Sequence, residues 1–145
     1  MATFCQNSKI TRVSAAVAAG TGDTVTSDIV DMAGYSSVTF IVGFGAIVST
    51  AETEVTVEQD SAANMAAAAA LSGSDVTVAD DDDDQIVVVE VKNPAERYVR
   101  ASITRATANA TIDFILAVQS DPVKAPVTQP ATVVDAVALN APAEA

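Results

Sequence analysis

The chain has 145 residues, seven basic against nineteen acidic, no histidine, no tryptophan and a single cysteine. The length is that of one domain, and the formal charge of −12 argues against a nucleic-acid binder, because neutralising phosphates needs a basic surface. Without histidine the commonest general base and metal ligand is missing, and Cys5 alone makes neither an internal disulfide nor a zinc cluster.

Half of the residues are apolar, much of this being Ala and Val, and the aromatics are four Phe and two Tyr. A core of small branched side chains has modest contacts, so its stability rests on many of them. The acidic balance favours solubility and opposes random self-association. The first residues show no basic patch followed by an apolar run, so synthesis without export is expected. The Ala-rich stretch from Ala62 to Leu71 is too short to span a bilayer. The expectation is a soluble protein without membrane or nucleic-acid partners.

In chain order, Met1 to about Gly22 alternates weakly and then dissolves into Ala and Gly, which predicts a first strand or extended arm ending in a turn. Thr24–Met32 offers a short strand stopped by Ala33-Gly34. Ser37–Val48 is the most hydrophobic run, with Val38, Phe40, Val42 and Phe44 on one face and Thr39, Ile41, Gly43 and Gly45 on the other. Two largely apolar faces predict a central strand, and the glycines mark a bend or the close approach of another backbone. Glu52–Gln59 alternates cleanly, with Thr53, Val55 and Val57 inward. Its glutamates, Glu52, Glu54 and Glu58, would repel a similar strand, as at a protected edge. Ser61–Ser72 is read as a short helix or helical turn over the sheet, because Ala is the best helix former and Asp60 or Ser61 an acceptable cap. A flexible loop is the alternative, since the stretch has no polar face.

Three β-type runs follow at close spacing: Gln85–Lys92, Arg97–Arg105 and Thr111–Gln119. Short β-branched runs of this kind predict an all-β, antiparallel sandwich or jelly-roll-like domain, whose strand order periodicity does not fix. From Asp121-Pro122 onward, Pro126, Pro130 and Pro142 punctuate a tail of Val, Ala and Thr. Proline removes ladder donors, and the valines are too apolar for a pure linker, so the tail is read as an arm that docks at least in part. The division is thus 1–22 as N-terminal arm or first strand, 23–121 as the sandwich, and 122–145 as the C-terminal arm.

Candidate sites are few. Asp80–Asp84 offers five adjacent carboxylates, but calcium loops space their ligands and turn on a glycine, so a solvated acidic loop is the better reading. No Gly-x-Ser-x-Gly elbow or phosphate loop occurs, and carboxylate pairs such as Glu52 and Glu54 would serve glycoside chemistry only in a cleft. No enzymatic activity and no cofactor or metal site are expected. Arg97, Arg100 and Arg105, with Lys92, concentrate positive charge in an otherwise acidic chain. Arginines at strand ends pair with carboxylates of their own domain or, with Tyr98, meet another subunit.

Two stretches resemble a known family. Asp31-Met-Ala-Gly-Tyr-Ser-Ser-Val-Thr-Phe-Ile-Val42 and Asn93-Pro-Ala-Glu-Arg-Tyr-Val-Arg100, the latter continuing through Ala108–Asp113 to Ala125–Gln129, are similar to small structural proteins of tailed bacteriophages, the capsid decoration or cement proteins. The likeness runs roughly from Asp31 to Gln129 and leaves out the acidic run and the terminal tail. It implies a sandwich or jelly-roll-like domain on the outer face of an icosahedral capsid, made in the host cytoplasm. Its partners would be the major capsid protein and its own copies, often as trimers at local threefold positions. On this reading Lys9 and Arg12 contact the shell, and Arg97, Tyr98 and Arg100 lie at a subunit interface. A head–tail joining or tail protein of the same virion is the alternative. A surface adhesion module acting through the Asp80 loop is a weaker one, because it needs export.

Overall fold

The computed structural model describes residues 3–141, 143 and 144, so Met1, Ala2, Pro142 and Ala145, counted above with the two arms, lie outside the described residues. A single helical turn, α1 (Phe4–Asn7), opens the chain. Strands follow: β1 (Lys9–Ser14), β2 (Val17–Gly20), β3 (Asp23–Thr26), β4 (Val30–Asp31), β5 (Tyr35–Ile47), β6 (Glu52–Asp60), β7 (Ala69–Ala70), β8 (Val76–Val78), β9 (Ile86–Lys92), β10 (Tyr98–Ala106) and β11 (Ala110–Pro122).

The strands form two sheets, and every pairing is antiparallel. Sheet I runs β1-β11-β5-β9, with β2 beside β11; sheet II runs β3-β10-β6-β7, with β4 beside β10 and β8 beside β6. The pairs are nested: β1 and β2 take β11, β3 and β4 take β10, β5 takes β9, and β6 takes β7 and β8. The chain is therefore one long hairpin rolled up until β11 also meets β5 and β10 also meets β6. That is the jelly roll, and it resolves the strand order left open by the sequence. The adjacent runs β9, β10 and β11 do not pair with one another; they alternate between sheets.

The alternation places the core. Val38, Phe40, Val42 and Phe44 of β5 point between the sheets and meet Val55 and Val57, Val99, Ala101 and Ile103, and Ile112 and Ile115. Phe40, Ile103, Ile112 and Ile115 are fully buried, and each contributes roughly 2 kcal/mol by leaving water.

Three expectations are corrected. Ser61–Ser72 contains no helix: the Asp60 carboxylate accepts the Ala62 and Ala67 N–H groups (3.0 and 2.8 Å), folding the run into a loop. Met65 is buried beneath that loop with a positive φ of 50°, a left-handed conformation that no α-helix contains. Nor is β6 an edge, since β10 flanks one side and β7 and β8 the other. Finally, what lies close to Gly43 is no backbone. A side chain there would collide with the ring of Phe114.

The C-terminal segment docks on its own domain. Gln129 accepts the Ile10 N–H (2.9 Å) and donates to the carbonyls of Cys5 (3.0 Å) and Ser8 (2.7 Å). Thr132 accepts the Arg12 N–H (3.2 Å), and the Val127 N–H reaches the Gln6 carbonyl (2.9 Å). The free edge of β1 is thereby closed, which removes an open template for other strands. Among the described residues beyond Thr132 there is no helix or strand, and Val134, Val137 and Leu139 are exposed.

Candidate functional site

Strand alternation that fills the core also dictates both outer faces. On sheet II the outward rows are Thr24, Thr104, Glu54 and Thr77, then Thr26, Ser102 and Thr56, then Arg100, Glu58 and Ala70. Apart from Arg100 and Ala70, this face is hydroxyl and carboxylate. On sheet I the outward rows are Arg12, Leu116, Ile41 and Val88, then Ile10, Val118, Thr39 and Glu90, then Phe114, Gly43 and Ile86. Seven of these are apolar: Ile86 and Val88 are exposed, Ile10, Ile41, Phe114 and Leu116 are half-buried, and Val118 is buried. Ile86 is 58% and Val88 53% exposed, although large apolar residues packed side by side on a folded surface are the mark of an interaction site.

The local sequence explains how that face is built. Gly43 sits opposite Phe114 in the register, and its missing Cβ leaves room for the ring to lie across the strand. A register shift between Ile112 and Phe114 lets the first point inward and the second outward, as bulges do. The acidic loop borders the Ile86 end. Asp80 accepts the Thr50 N–H (2.6 Å), Asp82 the Ala79 N–H (2.8 Å) and Asp83 the Ile47 N–H (3.3 Å). These carboxylates are turned toward separate backbone donors. Among the described residues no group of three or more His, Cys, Asp or Glu is arranged to hold a metal ion.

The residues singled out from the sequence do not share one surface. Lys9 lies on the inward row of β1, at the mouth between β1 and β4 beside Asp31 and Gln119. Arg12 is on the outer face of sheet I opposite Leu116. Its guanidinium reaches the Ser14 carbonyl at 3.2 Å and the Asp113 carbonyl at 3.5 Å. Arg97 grips Asp31 with two bonds (2.8 and 2.9 Å) and stacks on Tyr98 at 5.3 Å from the ring centre. Arg100 pairs with Glu58 at 2.7 Å on the outer face of sheet II. The Arg97 guanidinium, helped by the Ala33 N–H and Lys9, holds the Asp31 carboxyl below the usual range.

Arg105 is different. It is 3% exposed and projects inward from β10. It binds both oxygens of Asp23 (2.8 and 2.5 Å) and donates to the carbonyls of Ala18 (2.9 Å) and Ala110 (2.8 Å). Asp23 and Arg105 belong to sheet II, while Ala18 and Ala110 belong to sheet I, so one side chain ties the sheets together. The Arg105 guanidinium holds the Asp23 carboxyl below its ordinary range. Gly20 has no side chain because the guanidinium occupies that space.

A similar fold occurs in a protein of known structure. The solved structure of the PBSX exported protein XepA superposes with a TM-score of 0.54 at 14% sequence identity, over 97% of this chain and 46% of XepA. The chain therefore spans about half the length of XepA, and the likeness is one of fold. No family model matches the chain, and no curated protein matches it. No helix among the described residues is long and apolar enough to cross a membrane.

The apolar outer face was missed from the sequence. Its signal was present: β5, β9 and β11 carry apolar residues on both faces. In Ser37–Val48 that pattern marks a central strand, and β5 does lie between β11 and β9.

Proposed function

We propose that this chain is a structural, non-catalytic virion protein, a decoration protein that binds the outer face of a tailed-phage capsid and stabilises the assembled shell. The observation that carries the reading is the unequal finish of the two sheets: one outer face apolar, the other hydroxyl and carboxylate. A domain made this way lies on a surface with one side and faces water with the other. The jelly roll shared with a phage protein and the sequence resemblance to decoration proteins support the same reading.

The major capsid protein is the partner in this account. A ligand that binds the assembled lattice and not the free subunit stabilises the assembly by mass action, and many modest contacts add up when each copy spans several subunits. The charge of −12 keeps free copies apart, so grouping in threes is set by lattice positions. The exposed Val134, Val137 and Leu139, beyond the pinned part of the tail, extend the contact to a neighbouring subunit.

The test is the copy number in particles purified from the strain that carries the gene, measured by mass spectrometry relative to the major capsid protein. A ratio near one-to-one supports a decoration protein. A handful of copies moves it to the head–tail joint or tail, and absence rejects a virion role.

A further inference from the structure

The residues at the centre of the contact and the chemistry the lattice must offer them are a further step, which rests on the proposed function. We infer that the outer face of sheet I, centred on Leu116, Ile41 and Val88, is the docking surface, and that it sits on an apolar patch of the capsid lattice rimmed by basic side chains. The apolar centre follows from the register: Leu116 faces Ile41, which faces Val88, with Phe114, Ile86 and Ile10 in the flanking rows.

Charge decides the rim. The face ends at the Asp80–Asp84 loop, through the Asp84 N–H bond to the Gly45 carbonyl (3.2 Å) and the Ile47 N–H bond to Asp83. Glu90 stands on the face beside Val88, and Asp113 is exposed next to Phe114. A second copy is a poor occupant. Of seven basic side chains, Arg97, Arg100 and Arg105 are already paired with carboxylates of their own domain. The face's own cations are Arg12 and Lys92, outnumbered by the Asp80–Asp84 carboxylates with Glu90 and Asp113. Two such faces stacked together would therefore set acidic borders of like charge near one interface, and like charges across an interface repel. A lattice with lysines or arginines around an apolar patch complements the face instead. The apolar centre supplies the affinity, and the acidic border supplies steering and register.

The experiment uses the full chain and particles produced without it. Wild type, Ile86→Glu/Val88→Glu and the opposite-face variant Thr26→Glu/Thr77→Glu are each added to those particles, and bound copies are counted after sedimentation. All four positions are exposed strand residues, so both variants keep the wild-type melting curve within a few degrees. We expect bound copies to fall at least tenfold for the sheet I variant and to stay unchanged for the sheet II variant. Raising salt from 50 to 500 mM should slow wild-type binding, and Asp81→Asn/Asp84→Asn should flatten that dependence. If wild type binds but the sheet I variant binds equally well, the docking face is wrong while the virion role stands. If wild type does not bind at all, both fall. If free wild type self-associates in sedimentation and Ile86→Glu/Val88→Glu abolishes it, the occupant is a second copy and the inference is overturned.

Discussion

The two outer faces of this jelly roll come from the same strand geometry and end in opposite chemistry. On sheet II the positions between core residues are Thr24, Thr26, Glu54, Thr56, Glu58, Thr77 and Thr104, which keep water on that side. On sheet I the equivalent positions include Ile41, Ile86, Val88, Phe114 and Leu116, with Arg12, Thr39 and Glu90 among them. Antiparallel sheets ordinarily bury one face and solvate the other. Sheet II follows that rule and sheet I breaks it. The excess apolar surface is not needed to close the core, which already lies between the sheets, and the proposed function gives it a use in the contact with the shell.

Mutations can break or sharpen that contrast, and the largest effect should be on neither face. Arg105 bonds to both sheets from the interior. Arg105→Met would leave the buried Ala110 carbonyl without that donor, and it should cost about 3 kcal/mol. Thermal melting would then fall by about 10 °C. A loss below about 1 kcal/mol would mean that the sheets hold together without this tie.

Next comes the edge of sheet I. Gln129→Ala removes three hydrogen bonds to the Ile10 N–H and the Cys5 and Ser8 carbonyls, and should cost about 2 kcal/mol. Faster amide exchange should be confined to β1 and the residues around Val127. Uniform acceleration would show that the tail supports the whole domain. On the outer face of sheet I, Phe114→Ala uncovers the backbone at Gly43 and should cost about 1.5 kcal/mol. An unchanged denaturation midpoint would show that the ring serves only the external contact.

Acid should act on sheet II. Asp23, Asp31 and Asp60 lie in β3, β4 and β6. Arg105 lowers the first, Arg97 the second, and the Ala62 and Ala67 N–H groups the third. Each folded-state pKa lies below the ordinary 3.8, so the stabilisation is complete above that value and is lost as pH falls through the lowered folded value. Between pH 5 and 2, amide protection corrected for intrinsic rate should fall first in sheet II. Loss beginning in sheet I would contradict this. The smallest effect is expected for Arg100→Ala, whose pair with Glu58 is partly exposed; under about 1 kcal/mol should be lost in urea melts.

Much of the fold was legible because alternation is local. The three runs between Gln85 and Gln119 are strands within a few residues of their expected ends, and Val38, Phe40, Val42 and Phe44 form the inward row. Pairing was not legible, because it joins residues as distant as Lys9 and Gln119. The Ala-rich stretch misled for a related reason. Helix propensity favoured a helix, but the Asp60 carboxylate and the burial of Met65 outweigh it. The closed edge of β1 depends on the side chain of Gln129, about 120 residues away along the chain, and no pattern in the sequence announces such a contact. Of the candidate contact residues, Arg12 alone falls on the apolar face, because charge was sought where the informative feature was its absence.

The most direct test of the account is a cryo-electron microscopy reconstruction of the particle with the protein bound. The account predicts copies across the whole shell, each with Leu116, Ile41 and Val88 against the lattice and the Thr24, Thr104 and Glu54 row toward solvent. Copies that present sheet II to the lattice, or density confined to one vertex, would contradict it.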